Sequence, residues 1–167
     1  SKLYKEQLEK GALQPEARRY LKEKMKDAVS LMRSIHQRQK TIYRVTEAIL
    51  RRQKDFFDQG PNHLKPLIRR DIADELGLHE STVSRVTSNK YMATPRGLFE
   101  LKYFFTASIP ASAGGEAHSA EAVRFRIKQL IDAEPPSDVL SDDAIVVKLK
   151  EANIDIARRT VAKYRES

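Results

Sequence analysis

With 167 residues, 31 Lys and Arg against 23 Asp and Glu, and a net charge of +8, this chain is suited to meet a polyanion, and its charge gathers on helix-forming segments. It has no cysteine, no tryptophan and no apolar run near the roughly 20 residues that cross a bilayer. A disulfide framework, thiolate zinc sites and a membrane span are thereby excluded, and a lipid-surface helix is disfavoured. The length allows one good core or two to three small ones. Ser1-Lys2-Leu3 is not a natural start, so a fragment is expected, and no signal peptide appears in the sequence.

Between Glu16 and Gln59 there is no Gly or Pro, and Ile35, Ile42, Ile49 and Phe56 recur every seven residues beside Met32 and Val45. This stripe predicts a helix of roughly 45 Å from about Ser30, stopped by Gly60-Pro61. A preceding helix, about Pro15 to Ala28, joins it directly or through a bend. The stripe lacks the sustained repeat of a coiled coil, so packing on the following unit or on a larger protein is the favoured reading.

From Pro66 to Phe105 the pattern is that of a small unit. Arg70 to Leu76 and Glu80 to Val86 read as two helices about a Gly77-Leu78-His79 turn, and the spacing of Ala73, Gly77, Leu78 and Val83 matches a helix-turn-helix. Tyr103-Phe104-Phe105 closes its core. Thr106 to Ser119 contains Pro110, Gly114 and Gly115 among Ala and Ser, a composition that predicts a flexible linker and the best domain boundary.

Beyond it, Ala120 to Ala133 is a helix with Val123, Ile127, Leu130 and Ile131 on one face. Ser141 caps a second, with Asp142 and Asp143 in its first turn, and Asn153 ends it in a left-handed conformation. Asp155 is expected to cap the last helix, on which Ile156 and Val161 face inward while Arg158, Arg159, Ala162 and Lys163 share the other side. The second helix-turn-helix has a looser turn than the first. The fold class is therefore all-α: a long helix, then two helix-turn-helix units joined by a flexible linker.

An arginine fork can bond guanine O6 and N7 together, whereas lysine and hydroxyls more often anchor on phosphate. Arg158 and Arg159 are the candidates for base reading, with Thr160, Lys163, Tyr164 and Arg165 fixing the helix on the backbone. In the first unit the candidates are Ser81, Thr82, Ser84, Arg85 and Lys90. A solvated basic face and a protein-contact element are the competing readings of the two segments. His36, His63, His79 and His118 lack ligand spacing, and no phosphate loop or nucleophile arrangement occurs. No enzyme activity, metal or cofactor is expected.

The string Ala157-Arg158-Arg159-Thr160-Val161-Ala162-Lys163-Tyr164-Arg165-Glu166 resembles the RpoN box of bacterial sigma-54 transcription factors. The resemblance extends, in the family's order, through Ser34 to Thr41, Gln53 to Phe57, His79 to Val86, Lys90-Tyr91, Pro95-Arg96-Gly97 and Phe99 to Phe105. It implies the end of a core-RNA-polymerase-binding region (1–28), an extra-long helix (29–60), a helix-turn-helix domain near the −12 promoter element (61–105), the linker (106–119) and an RpoN domain (120–167) reading the GG of the −24 element.

By the same resemblance Arg158 and Arg159 match the box arginines and Arg85 the arginine of −12 recognition. The resemblance also implies that the long helix and the first helix-turn-helix, with Arg38 as a regulatory contact, help an N-terminal region block strand opening. The implied partners are double-stranded promoter DNA, core RNA polymerase and, through regions outside this chain, a AAA+ activator. The implied location is the bacterial cytoplasm, at the nucleoid. The alternatives are a tandem helix-turn-helix repressor or architectural DNA-binding protein, marked by independence from polymerase, and an adaptor whose basic faces bind acidic proteins without promoter preference.

Overall fold

The computed structural model describes Glu6 and residues 14–166. Residues 1–5 and 7–13, most of the first half of the expected polymerase-binding stretch, lie outside the described residues. The chain divides into two compact units, Ser1–Tyr43 and Arg44–Ser167, and helix α1 (Pro15–Arg52) contributes to both. The two expected N-terminal helices are thus one of 38 residues, about 57 Å long at 1.5 Å per residue, sustained by Leu, Lys, Arg, Glu and Met. In the first unit Val29, Leu31, Met32 and Ile35 stand exposed on it.

In the second unit the end of α1 buries Val45, Ala48 and Ile49, spaced as one helical face. The helix breaks at Gln53 before resuming as α2 (Lys54–Gln59), earlier than the predicted stop. Gln53 is completely buried, and its amide is fully occupied. Nε2 donates to the carbonyls of Lys65 at 2.9 Å and Phe104 at 3.2 Å, and Oε1 accepts from the Lys65 amide at 2.9 Å. Gly60, at φ +106°, then ends α2. A Cβ there would sit 3.3 Å from Nη1 of Arg96, whose Nε and Nη2 donate to the exposed carbonyls of Phe57 and Asp58.

Helices α3 (Arg69–Leu76) and α4 (Glu80–Thr87) follow, with Ile72, Ala73, Val83, Val86 and Thr87 buried. Gly77 between them has φ +64°, the left-handed conformation the predicted turn requires. Arg44 donates to the carbonyl of Leu76, and Arg51 and Arg52 both pair with Glu75. These ties fix the end of α1 against the far end of α3.

The next segment corrects the all-α expectation. Strands β1 (Tyr91–Thr94) and β2 (Gly97–Glu100) form an antiparallel hairpin, in register Tyr91 to Glu100 and Thr94 to Gly97, about a Pro95-Arg96 turn. The Thr94 hydroxyl donates to the Gly97 carbonyl and accepts from the Arg96 amide. A 3-10 turn (Leu101–Phe104) then buries Leu101 and Phe104. Phe56, Phe57, Phe99, Tyr103 and Phe104 meet there with ring centroids 5.1 to 6.0 Å apart, mostly edge to face or tilted.

Residues 106–119, expected to be a flexible linker, are paired at both ends. Thr106 bridges to Leu67, β3 (Ser108–Ile109) pairs antiparallel with β4 (His118–Ser119), and Ala111 bridges to Ile154. Composition missed this because Leu67 and Ile154 lie some forty residues away in sequence and the strands that pair within the segment are only two residues each. Asn153, at φ +62°, is the main tie. Its Oδ1 accepts from the Ala113 amide at 2.7 Å, its Nδ2 donates to the Gly114 carbonyl, and its own carbonyl meets Nε2 of His118 at 2.9 Å.

Helices α5 (Ala120–Asp132), α6 (Asp142–Glu151) and α7 (Arg158–Arg165) enclose the last core. Val123, Ile127, Ile145, Leu149, Ile154, Ile156 and Val161 fill it with Ile109 from β3. Ser119 and Ser141 accept amide hydrogen bonds as caps of α5 and α6. Asp155 does not cap α7: that position is Ala157, and the Asp155 amide donates to the Pro110 carbonyl. Asn62 meets Gln129 at 3.4 Å, and a cleft of about 430 Å³ opens between Tyr103 and the α5 residues Glu121, Arg124 and Lys128. Burial raises the pKa of the Tyr103 hydroxyl, reinforced by the Glu121 carboxylate, so it stays neutral in that cleft.

Candidate nucleic-acid interface

Helix α7 is short and strongly two-sided. Val161 is fully buried beneath it and Ile156 is buried just before it, as their spacing predicts. Arg158, Arg159 and Lys163 project outward as one cationic surface, Thr160 and Ala162 are half-buried, and Arg159 and Lys163 make no ion pair among the described residues. Arg158 Nη1 lies 3.5 Å from Asp143 Oδ2, with both side chains open to solvent.

The other two expected anchors are held within the domain. Arg165 Nη1 is 3.1 Å from Asp142 Oδ1 and its Nη2 is 4.0 Å from Glu134 Oε1. Tyr164 is half-buried with the Arg124 guanidinium 4.8 Å above its ring centre. Arg124 in turn pairs with Glu121. These contacts hold the last turn of α7 against α5 and α6 and leave Tyr164 and Arg165 only partly exposed.

In α4, Ser81 and Arg85 are exposed, and Thr82 and Ser84 are partly so beside buried Val83. Lys90, partly exposed, leads into β1, its carbonyl accepting from the Leu101 amide. Neither α4 nor α7 has a side-chain cap on its first turn, in contrast to α5 and α6. Uncapped amides at a helix start are ready donors to phosphate oxygens, reinforced by the helix dipole. Arg38 is exposed on α1 in the first unit.

Sequence reasoning did not reach Asp143, Arg96 or Arg124 as supports. The two aspartates after Ser141 were read for their effect on the helix dipole, and only the fold shows that each meets an arginine of α7. No helix among the described residues is long and apolar enough to cross a membrane.

This chain belongs to the sigma-54 family: the family model described as Sigma-54, DNA binding domain, matches residues 18–167. It is 62% identical over 148 residues to RNA polymerase sigma-54 factor 1 of Bradyrhizobium diazoefficiens, covering 89% of this chain and 31% of that protein. To the RNA polymerase sigma-54 factor of Caulobacter vibrioides it is 54% identical over 165 residues, covering 98% of this chain and 33% of that one. The crystal structure of Aquifex aeolicus sigmaN bound to promoter DNA is similar, with a TM-score of 0.56 and 35% identity across 97% of this chain and 48% of that chain. The chain thus spans about a third of the length of these curated relatives.

Proposed function

We propose that this chain is the promoter-binding part of a sigma-54 transcription initiation factor. Helix α7 reads the GG of the −24 element in the major groove, and α3, its turn and α4 form a helix-turn-helix placed near the −12 element. The observation that carries this is the outward face of α7. Two adjacent arginines and a lysine stand free of the core on a helix anchored by Val161, on a chain similar to a protein solved with promoter DNA.

Arg158 and Arg159 take the base edges; Thr160, Lys163 and the uncapped amides of α7 take phosphates. Ser81, Thr82, Ser84, Arg85 and Lys90 make the corresponding contacts from the first unit. The domain order proposed is 1–28, 29–60, 61–105, 106–119 and 120–167. Core polymerase and a AAA+ activator act through the whole protein, with Arg38 contributing to the block on strand opening.

Competition binding tests the assignment. Arg158→Ala or Arg159→Ala should cost about 1 to 3 kcal/mol on a GG-containing duplex and far less on unrelated DNA. Equal losses on both duplexes would move these arginines to phosphate anchoring.

A further inference from the structure

Two aspartates open α6, and each faces an arginine of α7. Asp142 holds Arg165, which is only 29% exposed, and that pair braces the helix from within. Asp143 lies 3.5 Å from Arg158, with the two side chains 68% and 69% exposed. A loose pair in solvent braces little. Its position, on the arginine proposed to read a base, gives it a different consequence.

We propose that Asp143 is a positioning residue that sharpens discrimination by Arg158, an inference that rests on the base-reading role given to that arginine above. A guanidinium carries five N–H donors in a planar fork, and a carboxylate engaged at Nη1 leaves the Nε and Nη2 edge free to present two parallel donors to guanine O6 and N7. The same carboxylate repels phosphate on every duplex, whatever its sequence. Aim helps only where a guanine waits, whereas repulsion weakens all binding, so the net effect falls on unrelated DNA. Asp143 is thus the repulsive element that a specific interface needs beside its attractive one.

The test measures wild type, Asp143→Asn, Arg158→Ala and the double variant on a GG-containing duplex and on one with the GG replaced, over a range of salt. Asp143→Asn should tighten binding to the replaced duplex about threefold or more, steepen the salt dependence by about one phosphate contact and lower the specificity ratio about threefold. With Arg158 already Ala, the same change should leave the ratio where it is. Asp143→Glu, which keeps the charge, should retain the wild-type ratio. Glu151→Gln removes one charge at the far end of α6 and should retain it too.

Equal tightening on both duplexes, or a ratio that still falls without Arg158, overturns the role of Asp143. Arg158→Ala that leaves the ratio unchanged overturns instead the base-reading assignment on which it rests. Circular dichroism melting of each variant registers any loss of α6, and a fallen ratio in a variant with unaltered melting counts for the inference.

Discussion

Replacing Gln53 by Leu removes a side chain that ties the end of α1 to two later segments, about Lys65 and Phe104. Three main-chain groups lose a partner: the amide and carbonyl of Lys65 and the carbonyl of Phe104. An orphaned buried polar group costs about 1 to 3 kcal/mol, but Lys65 is an exposed residue and water reaches part of its backbone. Taking the low end for its two groups and the middle of the range for Phe104 gives about 4 kcal/mol. The better burial of an apolar Leu offsets some of that, leaving a loss of about 2 to 4 kcal/mol. At roughly 4 °C per kcal/mol for a unit of this size, the melting temperature should fall by about 8 to 16 °C. Urea unfolding followed by circular dichroism measures the loss directly, with an unchanged slope if the native and denatured states keep their compactness. A loss under about 0.5 kcal/mol would show that the amide bonds contribute nothing net and that Gln53 merely fills space.

Lys65 Nζ lies 2.7 Å from Asp55 Oδ2, and this hydrogen bond and charge hold the Asp55 carboxyl below its ordinary range and the Lys65 ammonium above its own. The stability Asp55 adds is present above its unfolded pKa and lost as pH falls through the lower folded value; that of Lys65 is present below its unfolded pKa and lost as pH rises through the higher folded one. Asp55→Asn should therefore flatten the stability profile at both its acid and its strongly alkaline end, which unfolding at a series of pH values checks. Asn153→Ala removes the ties to Ala113 and Gly114 and strains a left-handed backbone, for a loss of about 1 to 3 kcal/mol. Limited proteolysis should then cut between residues 111 and 117 faster than in wild type, and equal rates would return that segment to the flexible linker its composition suggests. Arg165→Ala should weaken specific and unrelated DNA alike, since it loosens the seat of α7 rather than removing a base contact; a selective loss on the GG duplex, read by the same competition assay, would instead give Arg165 a base-reading role.

The residues that made the fold legible are those whose partners are close in sequence. Val45, Ala48 and Ile49 announce their buried face by spacing, Gly77 and Asn153 their left-handed turns, and Ser141 its cap. Illegible parts depend on distant partners. Gln53 reads as a polar interruption of an apolar stripe until Lys65 and Phe104 close on it, and Arg96 reads as an exposed turn residue until the carbonyls of α2 arrive. The hairpin about Pro95-Arg96 was illegible because its strands are four residues each and carry no long alternation. On α7 the inward positions and the outward arginines followed from helical spacing. That Arg165 and Tyr164 turn back onto Asp142 and Arg124 did not, because a basic residue at a helix end has several carboxylates within reach and only the fold selects one.

The central claim is that this chain prefers promoter DNA through two separate elements. The most direct measurement is equilibrium binding to a duplex carrying the GG and GC elements at the family's spacing, against the same duplex scrambled, at several salt concentrations. Both affinities should fall steeply with salt as counterions are displaced by Lys and Arg, and the promoter duplex should be bound at least about a hundredfold more tightly throughout. Equal affinity for the two duplexes would leave only a basic protein that binds polyanions, and would contradict the account.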